Sequence, residues 1–126
     1  MPTSTSELHV VNAHGMRLAA TFASPDLASG KPAPAVLLCQ GMSGVRTLVL
    51  PQVADALAAQ GIATLRFDYA GFGDSEGDRG WIDPGARVED ARCALAALLA
   101  RDGVDPGRIG VYGHSLGGPV AIAVAA

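Results

Sequence analysis

Gly113-His114-Ser115-Leu116-Gly117 sets one serine between two glycines, close to the last residue, Ala126. A serine hydroxyl attacks a carbonyl when a base takes its proton, and the oxyanion that forms needs hydrogen-bond donors held in place beforehand. The apolar run Ile109-Gly110-Val111-Tyr112 reads as a strand and the residues after Gly117 as a helix, which puts Ser115 on the bend between them. There the serine is expected in a sparsely populated backbone conformation, at a cost of about 1–3 kcal/mol, with its hydroxyl projecting above the sheet. Gly113 and Gly117 remove Cβ atoms where strand and helix nearly touch, and Gly118 is expected to extend that clearance into the helix. The backbone N–H of Leu116, at the mouth of the helix, faces the developing oxyanion with the helix dipole behind it. A second donor is expected from Cys39-Gln40-Gly41-Met42-Ser43-Gly44, where Gly41 permits a tight turn and the Met42 N–H faces the same oxygen.

Competing chemistries fail on spacing. Gly71-Phe72-Gly73-Asp74-Ser75-Glu76 follows an apolar strand, but Glu76 stands where a dinucleotide fingerprint needs its third glycine, and Asp78-Arg79-Gly80-Trp81 opens no helix. Gly113 to Gly118 has the glycine spacing of a P-loop, yet Pro119-Val120 occupies the positions of its Lys and Ser or Thr. No His or Cys cluster suggests a metal, so neither metal nor cofactor is expected. Cys39 and Cys93 fall in apolar patterns and read as buried small hydrophobes.

These groups need a scaffold, and the chain is rich enough to build one: 126 residues, 49% hydrophobic and 17% charged, predict a single globular unit spanning residues 1–126. A net charge of -3 without any Lys or Arg run argues against nucleic acid or an anionic membrane as partner and favours a small neutral or weakly charged substrate. Met1-Pro2-Thr3-Ser4-Thr5-Ser6-Glu7 has neither a basic nor an apolar signal region, and Pro119–Ala126, the longest apolar stretch, is too short to span a bilayer. A cytoplasmic protein is the expectation.

Leu8–Val11 and Arg17–Phe22 read as a hairpin turning through Asn12-Ala13-His14-Gly15, and 24–34, with three prolines, as an exposed loop. Strand 35–39, helix 48–60, strand 62–67, helix 84–101 and strand 109–112 then alternate. Pro84 suits a first helical turn, and Val88, Leu95, Leu98 and Leu99 are expected to form its buried face. The pattern predicts an α/β fold: an antiparallel hairpin, then β-α-β-α-β-α on a mostly parallel sheet with helices on both faces.

These residues resemble the α/β-hydrolase superfamily from about Leu8 to the last residue. Asp68-Tyr69-Ala70-Gly71-Phe72-Gly73-Asp74-Ser75 is similar to its D-x-R-G-x-G-x-S segment, and Val104-Asp105-Pro106-Gly107-Arg108-Ile109-Gly110 to the run before the nucleophile in esterase, dienelactone-hydrolase-like and serine-aminopeptidase-like members. The resemblance implies Ser115 as nucleophile and Leu116 and Met42 as oxyanion donors. It also implies further strands, often a cap, and the triad's acid and His downstream of the serine, so the chain reads as the front part of such an enzyme. Three positions depart from the pattern. Gln40 stands where many relatives carry His, Ala70 replaces an Arg that could anchor its loop, and Ser115 stands where dienelactone hydrolases proper carry Cys.

The remaining candidates take plainer roles. His114 should point away across the bend as a packed or hydrogen-bonded residue, and His9 and His14 fall in the first hairpin. Asp68, Asp74 and Glu76 read as turn and capping residues, with Asp74 or Ser75 as alternatives at a substrate entrance. The expected activity is hydrolysis of a carboxylic ester, or of an amide or peptide as the second choice, through an acyl-enzyme on Ser115, with the isolated 126 residues inert. The alternative is a non-catalytic chain that works by association, since strand 109–112 would lie at a sheet edge open to self-association.

Overall fold

The computed structural model describes residues 3–25, 30–42 and 44–126; positions 26–29 of the expected exposed loop, and Ser43 of the glycine loop, lie outside them. Strand β1 (Thr3–Val11) pairs antiparallel with β2 (Arg17–Pro25) in continuous register from Val11↔Arg17 to Thr3↔Pro25. The turn between them is tied by Asn12, whose Oδ1 accepts from the backbone N–H groups of His14 and Met16, both at 2.9 Å. Both strands run longer than the expected Leu8–Val11 and Arg17–Phe22. β1 is an edge strand, where backbone pairing holds Thr and Ser residues that show no apolar alternation.

Strand β3 (Ala33–Cys39), helix α1 (Leu50–Ala58), strand β4 (Ala63–Phe67), helix α2 (Pro84–Leu99), strand β5 (Val104–Gly113) and helix α3 (Gly117–Ala125) follow. The sheet order is β1-β2-β4-β3-β5, with β4 antiparallel to β2 and parallel to β3, and β3 parallel to β5. β5 starts earlier than Ile109 because Val104 already pairs with Ala33, before an irregularity restores the register at Ala35↔Ile109. β3 therefore runs through the middle of the parallel part, and β5 forms one edge among the described residues.

Alternate side chains of β3 serve opposite faces, as the pleat requires. Ala35, Leu37 and Cys39 join Leu65, Phe67, Ala91, Ala94, Leu98, Val120 and Val124 in the larger core, under α2 and α3. Leu38 joins Ala23, Leu50 and Ala54 under α1 on the other face. Helix α2 starts as its sequence indicates, with Pro84 in the first turn and the Asp83 side chain accepting from Ala86 N–H at 3.1 Å. Its buried stripe differs from the expected one. Arg87, Asp90, Ala91, Ala94 and Leu98 face inward, Val88 and Leu95 pack at the margin, and Leu99 is exposed. Two ionisable residues occupy positions on the inner face because each finds backbone or amide partners there.

Candidate active site

The bend between β5 and α3 sets Ser115 at φ 55°, a left-handed conformation that only one other non-glycine residue adopts among those described, Val49 before α1. Glycines at both sides make the bend possible. A Cβ on Gly113 would stand 2.3 Å from the Gly117 carbonyl oxygen, and one on Gly117 would stand 2.3 Å from that of Cys39. Strand end, helix start and the end of β3 are thus in backbone contact. Gly118 differs from the expectation: a Cβ there meets nothing within 4 Å, so it provides no clearance.

Ser115 and Leu116 are exposed, at the C-terminal ends of β3 and β5. The loop after β3 arrives beside them, so closely that a Cβ on Gly41 would be 3.3 Å from the Ser115 Cβ and 3.3 Å from the His114 carbonyl oxygen. Gln40, Gly41, Met42 and Ser115 share one open cleft of about 330 Å³. Among the described residues, no hydrogen bond takes up the backbone N–H of Leu116 or of Met42, whereas the N–H groups of Gly117 and Gly118 are bonded back to His114 and Ser115. Met42 therefore lies in the serine's cleft, and Leu116, next to Ser115 in sequence, lines the adjoining apolar cleft with Pro84, Arg87 and Val88 from α2.

Gln40 organises the loop. Its Oε1 accepts from Gly41 N–H at 2.8 Å, and its Nε2 donates to the carbonyls of Leu48 at 2.7 Å and Val45 at 3.2 Å. From α2, Arg87 donates Nη1 to the Gly41 carbonyl at 2.9 Å and Nη2 to the Met42 carbonyl. Its guanidinium lies over Tyr69 at 4.2 Å and Phe72 at 5.0 Å from the ring centroids. Burial draws the Arg87 pKa down, against the opposing pull of Tyr69 and Asp90. Sequence reasoning missed Arg87 at this site. The signal available was an arginine one turn into a helix whose polar residues do not fall on one face.

The acidic residues after β4 do more than turn or cap. Asp68 is wholly buried and accepts from the backbone N–H of Arg46 at 2.6 Å and of Asp74 at 3.0 Å, and it is ion-paired with the Arg46 guanidinium. Arg46 also reaches Asp74 at 3.1 Å and Glu7 at 3.4 Å. Glu76 accepts from Arg17 N–H at 2.7 Å. Ser75 is no substrate-entrance residue: it is buried, donates to the Asp68 carbonyl at 2.6 Å and accepts from Ala19 N–H at 2.9 Å. Asp74 lines a separate cleft with Glu7, His9 and Arg46, away from Ser115. The guanidinium absent at Ala70 has a counterpart in Arg79, which donates to the carbonyls of Gly73, Ser75 and Gly77 and holds that loop together.

His114 is exposed on the bend rather than packed, with its N–H bonded to the Cys39 carbonyl at 3.1 Å. His9 and His14 are exposed on the hairpin, whose β1 forms the sheet edge opposite β5. Cys39 is in the core, and burial pushes its thiol up to about 12, which leaves it a small hydrophobe. Cys93 is half-buried against the same core.

A mixed sheet in the order 1-2-4-3-5, helices on both faces and a left-handed serine on a strand-to-helix bend define an α/β hydrolase. Within that class the chain belongs to the family described as serine aminopeptidase, S33, which matches residues 30–126. It is similar to an uncharacterized 31.7 kDa protein in the traX-finO intergenic region of Escherichia coli, 40% identical over 93 residues, covering 74% of this chain and 32% of that protein. It is also similar to the quorum-quenching protein AidA of Acinetobacter baumannii, 38% identical over 94 residues, covering 74% of this chain and 31% of AidA. Among solved structures, the α/β hydrolase GrgF from Penicillium sp. sh18 superposes with a TM-score of 0.85 at 26% identity, over 99% of this chain and 42% of that one. The chain spans about a third of the length of these curated relatives.

Proposed function

We propose that the protein carrying this chain hydrolyses a carboxylic ester through an acyl-enzyme on Ser115, with an amide or peptide bond as the second choice of substrate. The observation that carries the reading is the strained, exposed Ser115 close to the backbone amides of Leu116 and Met42, neither of which is hydrogen-bonded among the described residues. Attack of the Ser115 Oγ on the carbonyl carbon places negative charge on the carbonyl oxygen, and the two N–H groups donate hydrogen bonds to it. Collapse expels the alcohol and leaves the acyl group on Oγ; water then releases the acid and restores the hydroxyl.

The base that takes the serine proton comes from outside residues 1–126. His9 and His14 stand on the far hairpin, and His114 is carried on the bend itself, adjacent in sequence to the serine. The 126 residues alone are accordingly inert: in a comparable serine enzyme, removing the His costs around 10⁶ in turnover. The substrate is a small molecule that binds without metal or cofactor, and the working compartment is the cytoplasm. Among the described residues no helix is long and apolar enough to cross a membrane.

A second reading, association with another chain in place of catalysis, draws on β5, which lies at the sheet edge with one side of its backbone ladder unpaired among the described residues. One experiment separates the two. Lysate of the native source is treated with a fluorophosphonate, and the intact mass of the species containing this sequence is measured. Labelling at Ser115 is the expected result. An unlabelled species of 12.7 kDa overturns the hydrolase reading and leaves association.

A further inference from the structure

Arg87 is 5% exposed, and among the described residues it forms no ion pair with a carboxylate; the nearest acidic influence on it is the charge of Asp90. A buried cation without a bonded counter-ion is costly, and here its compensation comes from two aromatic faces and two consecutive backbone carbonyls. Both carbonyls belong to the loop that flanks Ser115. Its Nε is buried without a partner, so the side chain is not placed to satisfy all of its own donors. It is placed to hold that loop.

The direction of the hold follows from peptide geometry. The Gly41 carbonyl and the Met42 N–H belong to one trans, planar unit, so they point in opposite directions. Gripping the carbonyl from the α2 side aims the N–H away from α2. The Gly41 N–H is fixed independently by Gln40 Oε1, so the peptide on each side of Gly41 is held by a side chain.

We infer that Arg87 is a positioning residue that fixes the Met42 N–H as oxyanion donor by clamping the Gly41 and Met42 carbonyls from helix α2. The inference rests on the proposed acyl transfer at Ser115 for its catalytic consequence, but the clamp itself is a property of the loop. Among the described residues the hydrogen bonds of Arg87 go to the Gly41 and Met42 carbonyls and none to Ser115. Its removal leaves the Met42 amide present and misdirected, so transition-state stabilisation falls while ground-state binding is kept.

The test uses R87M and R87K in the longer protein that carries this chain and supplies the base, with two readouts. The first is hydrogen exchange at the Gly41 amide, together with the amide NMR resonance of Met42. The second is hydrolysis of p-nitrophenyl butyrate, with kcat and KM separated. R87M is expected to speed Gly41 exchange by roughly tenfold or more, as local opening becomes easier. It should lower kcat by at least about tenfold, toward the 10²–10³ of losing an oxyanion donor outright, with KM within about twofold. R87K, whose ammonium can hold one of the two carbonyls, should fall between R87M and the wild type, and it carries the test if R87M fails to fold. Exchange at Gly41 unchanged in both variants overturns the clamp, whatever the activity. Faster exchange with unchanged kcat overturns the positioning role. If the wild type neither hydrolyses the ester nor takes a fluorophosphonate, the acyl-transfer reading fails, and the exchange measurement alone still decides whether Arg87 holds the loop.

Discussion

Gly117 and Cys39 meet backbone to backbone: a Cβ on the glycine would stand 2.3 Å from the Cys39 carbonyl oxygen and 2.7 Å from that of Gln40. Neither obstacle is a flexible side chain, so Gly117→Ala must separate helix α3 from β3. We expect it to destabilise by about 3 kcal/mol, the upper range for overpacking. Gly118→Ala, one residue on and facing open space, should be neutral or stabilising by up to about 1 kcal/mol through helix propensity. Urea unfolding of the pair measures the contrast.

Ser115→Gly separates function from stability. A glycine accepts φ 55° without strain, so the substitution relieves part of about 1–3 kcal/mol, while the looser unfolded chain takes back about 0.4–1 kcal/mol. The variant should unfold at slightly higher urea and take no fluorophosphonate. Equal or lower stability would show that the bend carries no strain at this residue.

Arg46, between β3 and α1, anchors the loop after β4. Its removal in Arg46→Met leaves Asp68, wholly buried, without its cation. An uncompensated buried charge costs about 3–5 kcal/mol, so this single loop substitution should destabilise as much as a large core truncation. The exposed partner carries less weight: Asp74→Asn should shift the midpoint by no more than about 1 kcal/mol.

Asp90 gives stability a pH dependence. Burial raises its carboxyl above the ordinary 3.8, and the hydrogen bonds from Ala70 N–H and Asn12 Nδ2 only partly oppose that. Because the folded value is the higher one, its contribution is complete below 3.8 and is lost as pH rises through the folded pKa. Asp90→Asn removes this component and turns an amide NH₂ toward one of the two donors. It should cost about 1–3 kcal/mol, with the gap to the wild type widest in acid and narrowing as pH rises. Thermal unfolding from acid to neutral pH follows the gap.

The parallel strands, the three helices and the serine bend are legible in the sequence because each follows a periodicity or a glycine requirement that burial enforces locally. β1 is legible only over its last residues, Leu8–Val11, since the Thr and Ser before them are held by backbone pairing at an edge. On α2, apolarity indicates Leu99 inward and gives no reason to bury Arg87 or Asp90. Their partners, the Gly41 carbonyl and the Ala70 N–H, come from loops distant in sequence, and no local pattern announces them. Arg46 is hidden for the same reason, a loop arginine whose buried acid lies on another strand end. At the site, residue types lead to the expectation of Ser115, Leu116 and Met42; which groups fix the Met42 loop depends on tertiary contacts.

The contact of the bend with the end of β3 closes a segment of roughly eighty residues, an entropic cost of about 4 kcal/mol for a flexible chain. The left-handed serine is held by that closure together with its flanking glycines and the local bonds from Gly117 and Gly118 N–H, so the complete bend requires β5 to be docked against β3. If the proposed acyl transfer holds, fluorophosphonate labelling of this hydroxyl would count molecules whose strands have docked, since a sheet without that contact lacks the complete bend.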